Sequence, residues 1–360
     1  MGSYCLHYLS EPEMKISKVI WSEKIKDIDD KSQIFNREEK LKFSKIEMEN
    51  EKSISIDDFR KYINEEILKE EYKKGELNIP NEINDYLLNE NLVLKSPIIL
   101  SDNNIYYGEW DNNNKMSGKG ELYIPKLNIY KKGIWKNDNI IYGRIYCVEG
   151  IYEGYIKENE YNGIGRMEYK NNIIYEGNWV KGLKDGEGNL TYSDGCKYIG
   201  NFKNNIKSGK GKFIWDNEDY YEGNFNNDIF NGEGYIKIKN GSEYKGNFFK
   251  GYFHDKGTFN WKNGDKYEGD YHYGKKEAKG IYIFNNGIKY NGEWYNNKPN
   301  KEGELEINNC IYKTNWKDGT IIDYSINENN NNENKDPDFN SLKWMIEDIN
   351  IQELKHLNTK

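Results

Sequence analysis

The sequence predicts a mainly β protein: an elongated single-layer antiparallel β-sheet of repeated hairpins, flanked by short N- and C-terminal α-helical segments. Three observations predict it. Aromatic residues make up 15% of the 360 residues, 31 of them Tyr, and ring-rich chains suit a pleated, half-buried surface. Of 34 glycines, 32 lie between residues 101 and 320, which reads as a segment dense in turns. The chain has one alanine, Ala278, which argues against a helical bundle or solenoid. A mean hydropathy of -1.02 leans toward disorder, but the aromatic content supplies apolar surface to bury.

Residues 1–100 are charged, poor in Gly and expected to be partly helical. Ser55-Ile-Asp-Asp58 reads as a capping box. Ile56, Phe59, Ile63, Ile67 and Tyr72 then recur at helical spacing up to Gly75, a C-terminal cap. A shorter helix is expected after Pro80, with Ile83, Leu87 and Leu88, and a weaker one over 36–50. Asp27 to Glu38 spaces carboxylates partly like a calcium loop, but Lys31 and Ser32 occupy a ligand and the glycine position; a charged linker or helix is expected. Gly2 and Cys5 sit as in acylation signals, yet Leu6 stands where Ser or Thr belongs, so an unmodified start is expected.

Residues 101–320 repeat themselves with a period of 23. Tyr175-Glu-Gly-Asn-Trp179, Tyr198-Ile-Gly-Asn-Phe202, Tyr221-Glu-Gly-Asn-Phe225, Tyr244-Lys-Gly-Asn-Phe248, Tyr267-Glu-Gly-Asp-Tyr271 and Tyr290-Asn-Gly-Glu-Trp294 align without gaps. A second glycine follows eleven residues after each central one, from Gly188 to Gly303. Turns follow at Asp194-Gly195, Asn240-Gly241, Asn263-Gly264 and Asn286-Gly287. Tyr106-Tyr-Gly-Glu-Trp110 is a clear earlier unit, while those at Gly133 and Gly154 are worn, as is the last, at Tyr312. Alternate strand residues share a face, so each unit is a hairpin with Tyr, Gly and Trp or Phe on one side and polar residues on the other. The glycines leave slots for neighbouring rings.

This pattern resembles the MORN (membrane occupation and recognition nexus) repeat family, from residue 106 to about 319. It departs in its later units, where Asp255, Ala278 and Lys301 replace the first glycine of G-x-G. The resemblance implies a twisted sheet curled around its own aromatics, in about eight to ten units. It also implies protein–protein assembly, often homodimeric, at a cell cortex, membrane-linked cytoskeleton or axoneme. The expected partner-binding groove is lined by Trp110, Tyr175, Trp179, Tyr198, Phe202, Tyr221, Phe225, Tyr244, Phe248, Tyr267, Tyr290 and Trp294.

Residues 321–338 form an Asn-rich linker. Within 339–360, Phe339, Leu342, Met345, Ile346, Ile349 and Leu354 mark one face of an amphipathic helix, expected to rest in the groove near Tyr290–Trp316.

Net charge is -8 overall but close to neutral within the repeats, which argues against nucleic acid as a ligand. No P-loop, nucleophile elbow or Cys/His cluster occurs, so a non-enzyme without cofactor or metal is expected. The four cysteines lie far apart and read as free thiols in a cytoplasmic compartment. The leading expectation is a non-catalytic scaffold. One alternative is a membrane adaptor that binds anionic lipid through loop lysines Lys203, Lys207, Lys210, Lys275, Lys276 and Lys279. Another is a targeting subunit for an enzyme on a separate chain. Leu183, Ile206, Ile229 and Tyr252 recur at one loop place, either as an exposed ridge or as local core.

Overall fold

The structure, a computed structural model, describes residues 52–88 and 91–326. The expected loop at 27–38, the helix expected over 36–50, Gly2 and Cys5, residues 327–338 of the Asn-rich linker and the C-terminal amphipathic segment lie outside the described residues, while 321–326, expected in that linker, instead belong to strand Thr320–Ile326. The chain divides into two compact bodies, the first ending at Ile206 and the second beginning at Lys207. Both are built of antiparallel hairpins joined in sequence order, as the repeat requires.

In the first body, a short strand, Lys52–Ser53, precedes helices α1 (Ile56–Tyr62), α2 (Glu65–Lys74) and α3 (Asn81–Leu88). Strand Val93–Ile99 follows, then hairpins from Ile105–Trp110 to Leu183–Thr191, and strand Lys197–Lys203. The boundary expected at residue 100 is crossed by pairing, because Val93–Ile99 runs antiparallel to Ile105–Trp110. Register brings the repeat glycines side by side, Gly177 against Gly188 and Gly188 against Gly200. Cβ-free pairs of this kind leave the strand surface open to a ring.

Ser55 caps α1 by accepting from the Asp58 amide at 3.0 Å, and Gly75 ends α2 with φ +69°. The single helix expected over 56–74 is instead two. The chain turns extended at Ile63, and Asn64 caps α2 by accepting from the Glu66 amide at 2.8 Å. As a consequence Ile56 and Tyr72, expected on the apolar face, are exposed, while Phe59 and Ile63 are buried.

These helices do not enter the ring side of the repeats. Phe59 and Ile63 pack with Ile105, Tyr123, Tyr130 and Tyr146 on the opposite face of the first hairpins. The corresponding face of later units is mostly polar, as at Glu176, Glu222 and Lys245. A buried charge cluster completes the contact. Glu71 accepts from Lys132 at 2.8 Å, Arg144 at 3.0 Å and Tyr146 Oη at 2.7 Å. Burial pushes the Glu71 carboxyl up, but these three donors outweigh it and hold it below its ordinary range. Arg60 to Glu121 and Lys74 to Glu168 add ion pairs at the margins.

The second body opens within strand Ile206–Ile214 and continues with hairpins from Tyr220–Asn226 to Thr320–Ile326. Its glycines pair likewise, Gly223 with Gly234 and Gly246 with Gly257. Tight turns such as Asn227-Asp228 and Asn296-Asn297 place both central residues at positive φ, the geometry that matches strand twist. The longer turns expected at Asn240-Gly241, Asn263-Gly264 and Asn286-Gly287 are present, each with its Gly at positive φ.

Candidate functional site

Each repeat tyrosine closes its own hairpin. Its ring lies along the glycine pair, and its hydroxyl donates to the carbonyl three residues on. Tyr175 reaches Asn178 at 2.8 Å, Tyr244 reaches Asn247 at 3.0 Å and Tyr290 reaches Glu293 at 3.0 Å. The fit is close: a Cβ on Gly188 would stand 2.5 Å from Tyr175 Oη. The ring then meets two others edge-on, as Tyr175 does Trp179 at 5.0 Å and Phe202 at 5.2 Å. The indole N–H of Trp179 donates to the Gly165 carbonyl and that of Trp294 to the Gly280 carbonyl. In the last unit Thr314 replaces glycine, and its hydroxyl accepts from Trp316 at 2.7 Å while donating to Gly303 at 2.8 Å.

The consequence corrects the expected groove. Trp110, Tyr175, Trp179, Tyr198, Phe202, Tyr221, Phe225, Tyr244, Phe248, Tyr267, Tyr290 and Trp294 are all buried. They form the interior and not an open slot, so neither a partner nor the C-terminal segment can lie among them without unpacking it. The cause is the residue nine positions after each tyrosine, which closes over the ring. Tyr161 stacks on Tyr152 at 3.8 Å, Phe230 on Tyr221 at 3.8 Å and Phe253 on Tyr244 at 3.7 Å. Burial pushes the repeat tyrosine hydroxyls well above their ordinary range.

Lys184, Lys207 and Lys276 occupy that same place in other units, and all three are buried. The Lys276 ammonium stands 4.8 to 5.5 Å from the rings of Trp261, Tyr267, Tyr282 and Trp294, a cation–π arrangement. Lys207 also pairs with Asp228 at 3.3 Å. Lys207 and Lys276 are therefore core residues and not loop lysines open to lipid. Lys203 is exposed and pairs with Asp185 at 3.1 Å. Lys210 and Lys279 are exposed on strands, and Lys275 donates to Asn296. Burial pushes the Cys147 thiol up to about 12, which leaves it an unreactive thiol at neutral pH.

Exposed aromatics lie elsewhere: Tyr62 and Tyr72 on the helices, Tyr295 and Tyr324 on strands, and one cluster of rings in contact at hairpin turns of the second body. Phe249 and Tyr273 are 37% and 39% exposed, and Tyr252 is half-buried. Tyr273 contacts Phe249 at 5.9 Å and Tyr252 at 5.8 Å. His254 and His272 face each other across neighbouring strands at 4.9 Å, and His254 Nδ1 accepts from the Tyr273 amide at 3.3 Å. The Lys250 ammonium stands 5.2 Å from the Phe249 ring centre. Of the residues expected as a ridge, Ile206 and Ile229 are exposed, and Leu183 and Tyr252 are half-buried. The sequence gives no pattern that joins Phe249, Tyr273 and the two histidines into one cluster. The place of Phe249 varies between units, with Val180, Lys203, Asn226, His272 and Tyr295 in the others, so no repeat signal marks it.

Among solved structures, the chain is similar to the TCP domain of SAS-4 (dCPAP) of Drosophila melanogaster in complex with a proline-rich motif of Ana2 (dSTIL). Identity is 13% over 57% of this chain and 90% of that one, with a TM-score of 0.26. The TCP10c domain of Drosophila melanogaster Sas-4 is 14% identical over 56% of this chain and 96% of that one, with a TM-score of 0.22. A streptogramin B lyase is 12% identical over 67% of this chain and 84% of that one, with a TM-score of 0.13. No curated protein matches. The family model described as the MORN repeat matches residues 106–128, 152–173, 175–197, 198–220, 221–243, 244–266, 267–289 and 290–300.

Proposed function

The chain belongs to the MORN repeat family, and from that premise we propose that it is a non-catalytic scaffold that binds protein partners. The observation that carries the reading is the division of its aromatics. Those of the repeat are consumed in holding hairpins together, while Phe249, Tyr252 and Tyr273 stand at turns where a partner can reach them. Exposed aromatic clusters of this kind mark protein interfaces more than scattered apolar residues do. The setting we propose is a cortical, membrane-associated or cytoskeletal structure, with recognition through the turn margin and the helical segment. Lipid binding through lysines is the second reading: Lys207 and Lys276 are buried, which leaves it to Lys203, Lys210 and Lys279.

The test is affinity capture from native cells with mass spectrometry, using the wild-type chain and the Phe249→Ser/Tyr273→Ser double variant. The reading expects a set of proteins held by the wild type and lost by the variant. The same proteins on both would overturn the surface assignment. Sedimentation with anionic vesicles at two salt concentrations is expected to show no binding. Binding that weakens with salt would favour the lipid adaptor instead.

A further inference from the structure

We infer that the segment 338–355 of this same chain rests on the aromatic cluster of Phe249, Tyr252 and Tyr273, so that a partner binding there displaces it. Two of these rings are more than a third exposed, and they touch one another through ring contacts of 5.8 and 5.9 Å. The cluster is thus a continuous apolar surface with cations, Lys250 and Lys275, at its turns. The segment offers the complement. Phe339, Leu342, Met345, Ile346 and Ile349 recur at helical spacing, flanked by Asp336, Asp338, Glu347 and Asp348. A solitary helix of that length is marginal in water and requires a surface, and the repeat interior that could have served is already filled.

Reach decides whether the contact is possible within one chain. Strand Lys266–His272 is separated from Thr320–Ile326 by five strand steps, about 24 Å at 4.8 Å each. Ile326 ends its strand at the margin away from the turns, which adds roughly 22 Å along the strand. The diagonal is about 33 Å. Residues 327–337, run nearly extended, span about 36 to 40 Å. The linker is therefore long enough with little slack, which makes its length a sharp test.

Hydrogen exchange on the full chain tests the contact, and does so whether or not a partner protein is found. Amides of 338–355 should exchange at least about tenfold more slowly than in an unfolded chain, as a docked helix provides. Deletion of residues 329–334 leaves too little chain to reach and should abolish that protection. The Leu342→Asp/Ile346→Asp and Phe249→Ser/Tyr273→Ser variants should lose it too, with exchange in the hairpins unchanged. Three results would overturn the inference: free exchange in the wild type, protection that survives the deletion, or protection that grows with protein concentration, which assigns the surface to a second copy.

Discussion

Gly246→Ala probes the glycine pairing on which the repeat depends. The added Cβ would stand 2.5 Å from Gly257 Cα, 2.5 Å from Tyr244 Oη and 2.7 Å from Lys256 O. Carbon atoms at rest sit about 3.5 to 4.0 Å apart. Two of the three obstacles are backbone, so the strands themselves must part by roughly 1 Å. Overpacking of this kind costs about 1 to 3 kcal/mol. If the ring also lifts, the bond from Tyr244 to Asn247 O is lost, about 1 kcal/mol more. The expected total is about 3 kcal/mol. Chemical denaturation read by tyrosine and tryptophan fluorescence would measure it. Tyr244→Phe keeps the ring and isolates the hydroxyl, with an expected loss of about 1 kcal/mol. Lys245→Ala, next in sequence but exposed, should change stability by less than about 0.5 kcal/mol. Equal effects from Gly246→Ala and Lys245→Ala would refute the reasoning.

Other consequences follow from single features. Ala278 holds φ +53° at a place where most units carry glycine, so Ala278→Gly should raise stability by about 1 kcal/mol in a thermal melt; a lowered melting temperature would contradict this. The buried tyrosines have folded pKa values above their unfolded one. Their stabilisation is therefore complete below about pH 10 and lost above it, by up to about 1.4 kcal/mol per tyrosine per pH unit. Tyrosinate absorbance and circular dichroism should change together in one steep alkaline transition; independent titration with the fold intact would refute burial. Glu71→Ala leaves Arg144 with Glu153 but without its carboxylate partner from α2 and should cost about 1.5 to 3 kcal/mol in the helix–sheet contact, seen as faster proteolysis within 56–74. Because the Glu71 pKa is depressed in the folded chain, the same release should appear in the wild type as pH falls through that folded value.

The repeat was legible in the sequence because its geometry admits few residues. Gly177 and Gly188 must be glycine for Tyr175 to lie across them, and that demand recurs every 23 residues from Tyr175 to Tyr290. What the rings face was less legible. Period two assigns residues to sides but does not say which side stays open, and the closing residues Phe230 and Phe253 stand next to the loop places of Ile229 and Tyr252. Aligning them with Lys184, Lys207 and Lys276 places those lysines inside, a reading their charge discouraged. The helix docking face was hidden for a related reason. Ile105, Tyr123, Tyr130 and Tyr146 fall outside the repeated positions, so the 23-residue pattern does not mark them, yet they are the apolar side of a second contact. The break at Ile63 and Asn64 shows locally only as an Asn able to cap.

The account turns on whether the repeat aromatics are a closed interior, which sends recognition to the outside. Acrylamide quenching of tryptophan fluorescence measures this directly, on the full chain with Trp21 and Trp344, which lie outside the described residues, replaced by Phe. Of the remaining indoles, Trp110, Trp135, Trp179, Trp215, Trp294 and Trp316 are buried. The account predicts quenching several-fold weaker in the native chain than in the same chain unfolded by urea. Native quenching close to the unfolded value would mean that the rings line an open groove, and would contradict it.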